Sequence, residues 1–163
     1  MNSAILSILN EQSNSFIQKI RNNLESTGTT KSGKSAGSIY YKFTESDHGD
    51  KITVEVIGAR PYFATVETGR KATPDKKPSR AMIDNITAWV NMVGKPESAV
   101  WAIATNIQNK GTELFQKGGR KDIYSNEIDG FIDSIGAAIA KEVADEFLDN
   151  MVKTWNVNVS NGN

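Results

Sequence analysis
Two long stretches whose apolar residues return every three or four positions bracket this chain, and that periodicity limits its fold more than any other feature. From Ser125 to Trp155 the residues Ile128, Phe131, Ile132, Ile135, Ile139, Val143, Phe147, Met151 and Trp155 keep the step for about eight turns, which predicts a long helix. Gly130 and Gly136 each cost that helix about 1 kcal/mol relative to alanine, so they mark a close packing contact or a kink. From Asn2 to Ser26, Ile5, Ile8, Leu9, Phe16, Ile17, Ile20 and Leu24 fall on one stripe of a second helix, with Gly28 placed for a left-handed cap. Stripes of this kind need covering, and the residues between must help to do it.

Between the helices the period changes. Thr27 to Ser38 is rich in Gly, Ser, Thr and Lys and reads as a loop. Ile39, Tyr41 and Phe43 alternate with other residues, as do Ile52, Val54 and Val56, which predicts two strands paired antiparallel through Ser46–Asp50. A third strand or extended segment is expected over Tyr62–Thr68. Gly69 to Ser79 is basic and contains Pro74 and Pro78, so an exposed, mobile loop is expected. Ser79 can cap a helix through Val93 with Met82, Ile83, Ile86, Trp89, Val90 and Val93 on its stripe, ended by Gly94. A second short helix is expected over 97–109, facing inward with Val100, Ile103, Ala104 and Ile107 and closed by Gly111. Thr112 to Lys121 forms another Gly/Lys-rich loop. Strands and helices are segregated along the chain, so the fold class is α+β: a small antiparallel sheet packed by a long N-terminal helix, two short helices and a long C-terminal helix. At 163 residues a single domain over 1–155 is expected, with 156–163 as a disordered tail.

Composition removes several functions. Lysine plus arginine equals aspartate plus glutamate at 19 each, so no excess positive charge argues for a dedicated nucleic-acid binder. Cysteine is absent, which excludes disulfides, thiolate nucleophiles and thiolate zinc sites. No window approaches the roughly 20 apolar residues of a membrane span, and Met1–Leu9 lacks the pattern of a secretory leader, so a cytosol-like compartment is expected.

Gly28-Thr29-Thr30-Lys31-Ser32-Gly33-Lys34-Ser35 fits the phosphate-loop pattern letter for letter. A phosphate loop, however, is entered from a buried strand and left through a helix, so that backbone N–H groups and the helix N-terminus face the phosphates together. Here a helix is predicted before the loop and a strand after it, so a Gly/Ser/Lys connector is the stronger reading and no cofactor is expected. His48 is the only histidine and sits in the predicted turn with Asp47 and Asp50, where a solvated role outweighs a metal or catalytic one. No serine lies in a nucleophile elbow, and acids such as Glu142, Asp145 and Glu146 read as a solvated helix face. No catalytic constellation survives, and an enzyme is not expected.

What remains is surface. Arg70, Lys71, Lys76 and Lys77 in one loop and Lys117, Gly118, Gly119, Arg120 and Lys121 in the other flank the same two helices, and serve either solubility or, equally, contact with an acidic neighbouring subunit. Glu67 is spaced to pair with Arg70, within one subunit or between two. Trp89, Trp101 and Trp155 belong by default to the core, although Trp101 lies off the stripe of Val100 and Ile107 and so points toward a partner.

The opening helix, the segment Ser32-Gly33-Lys34-Ser35-Ala36-Gly37-Ser38-Ile39, the strand pair, Tyr62-Phe63-Ala64-Thr65-Val66-Glu67-Thr68-Gly69-Arg70 and the helix from Trp101 to Gly111-Thr112 together resemble the phage tail-completion, or neck, proteins of crAss-like and related tailed phages. The resemblance spans about Met1 to Thr112 and extends more weakly to Phe131. It implies a non-enzymatic virion protein, assembled in the host cytoplasm into an oligomeric ring at the head-tail connector. Such a ring would contact portal, connector and tail subunits while DNA passes through its lumen. A DNA-binding adaptor using the basic loops is the alternative, with nucleotide binding through Gly28–Ser35 behind it.

Overall fold
A computed structural model describes residues 3–28, 36–46, 51–59 and 63–160, the last five as backbone only. The fold is α+β, with a two-stranded antiparallel sheet and long helices at both ends. Helix α1 spans Ser3–Ser26 and buries Leu9, Phe16, Ile17, Ile20 and Leu24, the stripe set by its three- and four-residue spacing. It stops at Gly28, whose φ of 64° is open to glycine without a Cβ penalty. The Thr27 and Gly28 N–H groups donate to the Asn23 and Glu25 carbonyls at 3.1 and 3.0 Å.

Strand β1 spans Ile39–Glu45 and β2 spans Ile52–Gly58. They pair antiparallel, as the alternation predicted, in a register that places Tyr41 opposite Val56, Phe43 opposite Val54 and Glu45 opposite Ile52. Lys42 faces Glu55 across the ladder in a 2.5 Å ion pair. The turn residues Asp47, His48 and Asp50 lie outside the described residues. Most of the Gly28–Ser35 motif does too, but its flanks are described: helix α1 precedes it, and a 3-10 turn over Ala36–Ser38 leads from it into β1. Arg21 of α1 holds that exit by donating to the Ala36 and Ile39 carbonyls at 3.0 and 3.1 Å.

Contacts gather the chain into two compact units, one built from residues 1–60 and 123–163, the other from residues 61–122. In the first, α5 (Ile128–Ser160) packs antiparallel on α1. Phe16 stacks on Phe131 with ring centroids 4.4 Å apart, Lys19 lies 3.7 Å from Glu127, and Asn23 Nδ2 donates to the Ile123 carbonyl at 3.0 Å. Ile123 is fully buried beside them. The helix does not stop at Trp155 as expected. Residues 156–160 contain neither glycine nor proline, and once nucleated a helix propagates one bond per residue fixed.

In the second unit, α2 (Arg80–Met92) and α3 (Ala99–Lys110) share a core of Met82, Ile86, Val90, Val100 and Ala104. Ser79 caps α2, its Oγ accepting from the Met82 N–H at 3.2 Å, and Gly94 and Gly111 follow α2 and α3 with φ of 69° and 80°. Two assignments are corrected. Phe63–Thr65 is a 3-10 turn, followed by a turn over 66–68, where a strand was expected. Its bonds are those of a turn, Val66 N–H donating to the Phe63 carbonyl and Gly69 N–H to the Thr65 carbonyl. Within the expected loop 112–121, Glu113–Gln116 forms the short helix α4, capped by the Thr112 hydroxyl.

One buried group stands out energetically. The Ser13 side chain is fully buried in α1, and its Oγ has no hydrogen-bond partner among the described residues. Replacing such a hydroxyl relieves its desolvation, so Ser13→Ala is expected to stabilise the protein by about 1 kcal/mol in denaturant titration. A loss of stability would show that the hydroxyl is partnered.

Candidate subunit interface
The segments proposed from sequence as loose basic loops are largely tied down. Glu67 is 2% exposed, and its carbonyl accepts the Arg120 N–H at 2.8 Å. Thr112 N–H donates to the Arg70 carbonyl and the Arg70 N–H donates to Thr112 Oγ1, both at 2.9 Å. Residues 67–70, 111–112 and 119–120 thus form one hydrogen-bonded clasp at the start of the expected loop, whose residues 71–79 carry no helix or strand and are mostly exposed. Glycine is required within it for two separate reasons. Gly69, Gly111 and Gly119 all have positive φ, and a Cβ on Gly119 would come within 2.8 Å of the Glu67 carbonyl oxygen.

The charges in the clasp are mostly partnered inside the unit. Arg70 Nη2 donates to Gln108 Oε1 at 3.2 Å, and Gln108, itself buried, donates through Nε2 to the Thr73 carbonyl at 2.6 Å and to the Thr73 hydroxyl. The Arg120 guanidinium forks onto the Asp122 carboxylate at 2.5 and 2.7 Å. That hydrogen bond, with smaller contributions from the Asp122 and Glu67 charges, holds the Arg120 pKa above its ordinary value against partial desolvation, and Arg120 in turn lowers the pKa of Asp122. Lys117 pairs with Glu113 one turn away at 2.6 Å. Of the residues singled out from sequence, Glu67, Arg70, Gly119 and Arg120 are therefore parts of the unit's own framework. Lys71, Lys121 and Gly118 are exposed on it.

A second group comes together differently. Lys76, Lys77 and Trp101 line one groove of about 360 Å³ between residues 74–78 and α3, with Thr105 and Asn109 along the helix side. Trp101 is 62% exposed, as its position off the stripe indicated. The other two tryptophans overturn their core assignment. Trp89, 40% exposed, lies outside the core of Ile86 and Val90 and under the Lys95 ammonium, 5.3 Å from the ring centroid. Trp155, at 72%, lies on a part of α5 that no described residue covers.

That part of α5 went unrecognised because its stripe looks continuous in the sequence. The pairs 16 with 131, 19 with 127 and 23 with 123 fix the antiparallel register, and one residue forward on α1 answers one residue back on α5. Ser3, the first described residue of α1, then falls opposite about residue 144. Before that point Phe131, Ser134, Ile135, Ala138, Ile139 and Glu142 are half-buried along one face; from Val143 to Trp155 every side chain is exposed. Phe147, Met151 and Trp155 form an apolar strip there, edged by Asn150 and Thr154.

No family model, characterised protein or solved structure matches the chain. Among the described residues no group of three or more potential ligands is placed to hold a metal ion, and no helix is long and apolar enough to cross a membrane.

Proposed function
We propose that this protein is a structural virion subunit that assembles with copies of itself into a ring at the phage neck, joining portal to tail and leaving a lumen for DNA. The resemblance of residues 1–112 to neck proteins supplies the setting. One observation carries the reading: large apolar side chains stand in water, Trp101 in one unit beside Lys76 and Lys77, and Phe147, Met151 and Trp155 in the other edged by Asn150 and Thr154. Exposed apolar surface rimmed by polar groups is what an association surface offers. The flanks of Gly28–Ser35, a helix before and a strand after, favour assembly over nucleotide chemistry.

Sedimentation velocity over a rising concentration series tests it. Concentration-dependent oligomers that resolve to one closed species are expected, alone or with purified portal. A strict monomer under all of these conditions would remove the ring subunit from consideration.

A further inference from the structure
The far half of α5 carries a face that complements itself. Each helical residue turns about 100°, so a run of four-residue steps drifts by about 40° per step. The stripe that meets α1 at Phe131 has therefore turned roughly 160° by Phe147, onto the side of α5 away from α1. There Ala137, Ala140, Ala144, Phe147, Met151 and Trp155 share one face, all of them exposed. Asp145, Glu146, Asp149 and Lys153 project from other sides of the helix, so contact through this face opposes no like charges. The face is graded in size, alanine along its first half and large side chains along its second. Gly136 lies on its edge, and among the described residues nothing comes within 4 Å of a Cβ built there, so no described contact accounts for that glycine.

A graded face selects its own copy as partner. Laid antiparallel with alternating three- and four-residue layers, it sets Ala144 opposite Phe147 of the second copy and Ala140 opposite Met151, large against small in each layer. Sliding one helix by a heptad would instead bury Asp133, which lies on the same face, against Met151, and an unpaired buried acid disfavours that register. The extent is sufficient as well. Val143, Phe147, Leu148, Met151, Val152 and Trp155 are each more than half exposed and together leave on the order of 600 Å² in water on each copy, so a symmetric pair covering most of it clears the roughly 1,000 Å² expected of a specific interface.

We infer that two copies pair through the distal half of α5, antiparallel and two-fold symmetric, with Phe147 and Met151 of each lying on Ala144 and Ala140 of the other. The contact is isologous and closes at two copies. It goes beyond the ring reading, because a ring built of such pairs needs a second contact elsewhere on the chain.

The absence of cysteine makes the test direct. Ala144→Cys and Ala137→Cys, both at exposed positions, are prepared as full-length proteins and treated with a short bis-maleimide. Ala144 lies near the two-fold axis, so its variant is expected to give a covalent dimer. The two copies of Ala137 stand roughly 25 Å apart along the helices, so its variant is expected to give almost none until it is mixed with Thr154→Cys, which faces it. Size exchange gives the second arm. Phe147→Ala is expected to weaken dimerisation at least tenfold in sedimentation, Ala144→Phe to do the same, and the two in one chain to restore most of it, because each layer again holds one large and one small side chain. Both positions are exposed in the single subunit, so hydrogen exchange over residues 128–142 should stay unchanged and report intact folding.

Several results would overturn the proposal. Ala137→Cys chains that link to one another as readily as Ala144→Cys chains would make the pair parallel. Wild-type oligomers that neither size variant disturbs would leave the ring reading standing but move the contact elsewhere. A Phe147→Ala protein that associates normally but loses affinity for purified portal would assign the face to a different virion protein. A dimer that forms as described and never grows larger would support the pair and remove the ring, and a wild-type chain that never associates would end both readings.

Discussion

Gly69→Ala and Gly111→Ala are each expected to destabilise the protein by about 3 kcal/mol or more, well beyond the usual cost of a surface substitution. Part of the effect is conformational. Both residues have positive φ, 70° and 80°, where an L side chain costs roughly 1–2 kcal/mol. The remainder comes from what already occupies the space. A Cβ on Gly111 would come within 2.7 Å of both the Arg70 carbonyl oxygen and a Phe115 ring carbon, and one on Gly69 within 2.6 Å of Thr112 Oγ1 and closer still to the Phe115 backbone nitrogen. Backbone atoms cannot rotate aside, so the reciprocal bonds between Arg70 and Thr112 must stretch or break, at about 1 kcal/mol each. Gly94 is the control. Its φ is 69°, and nothing lies within 4 Å of its added Cβ, so Gly94→Ala is expected to show the conformational cost alone. Chemical denaturation of the three variants separates the terms, and equal losses at Gly94 and Gly111 would show that the clasp is not packed as described.

The same glycines show where sequence reasoning reached its limit. Gly69, Gly111 and Gly119 are visible in the sequence as breakers, but which backbone approaches each of them depends on contacts some 40 residues apart in the chain. Local signals therefore read 69–79 as a loose basic loop, whereas Arg70 is committed to Gln108 and Thr112. The helices and the strand pair were legible because periods of 3.6 and 2 are local properties that burial then uses. Tyr62–Thr68 misled because Tyr, Phe, Val and Thr suit strands, and nothing local records that the two-stranded sheet takes no third member.

The candidate interface was legible in part for a related reason. Trp101 betrayed its exposure by falling off its helix's stripe, whereas Trp155 sits on a stripe that keeps perfect spacing. Periodicity belongs to one helix, but burial needs two helices of matching extent, and α5 continues where α1 has begun. A long regular stripe thus reads as core throughout, yet in the first half of α5 only Phe131, Ile135 and Ile139 of that stripe are half-buried, while Ile128 and Ile132 are exposed. The remainder gives the molecule apolar surface on a preformed helix, which lowers the ordering cost of any association that uses it.

Phe16→Ala should cost about 3–5 kcal/mol, because Phe16 is a buried aromatic side chain in the α1–α5 contact. Its ring stacks at 4.4 Å and 17° on that of Phe131, which is only half-buried, so Phe131→Ala should cost less. The double variant should fall short of the sum by about 0.5–1.5 kcal/mol, the range for an aromatic pair beyond its area burial. Additive losses would mean that the rings pack independently. Hydrogen exchange should locate the damage: amides of residues 128–142 lose protection in Phe16→Ala, because that face of α5 has α1 as its support. Amides of residues 144–155 should change little in the isolated subunit, because no α1 residue opposes them even in the wild type. If those distal amides are already well protected in the dilute wild-type protein, α5 has a cover beyond α1, and the exposed strip of Phe147, Met151 and Trp155 is not free to bind.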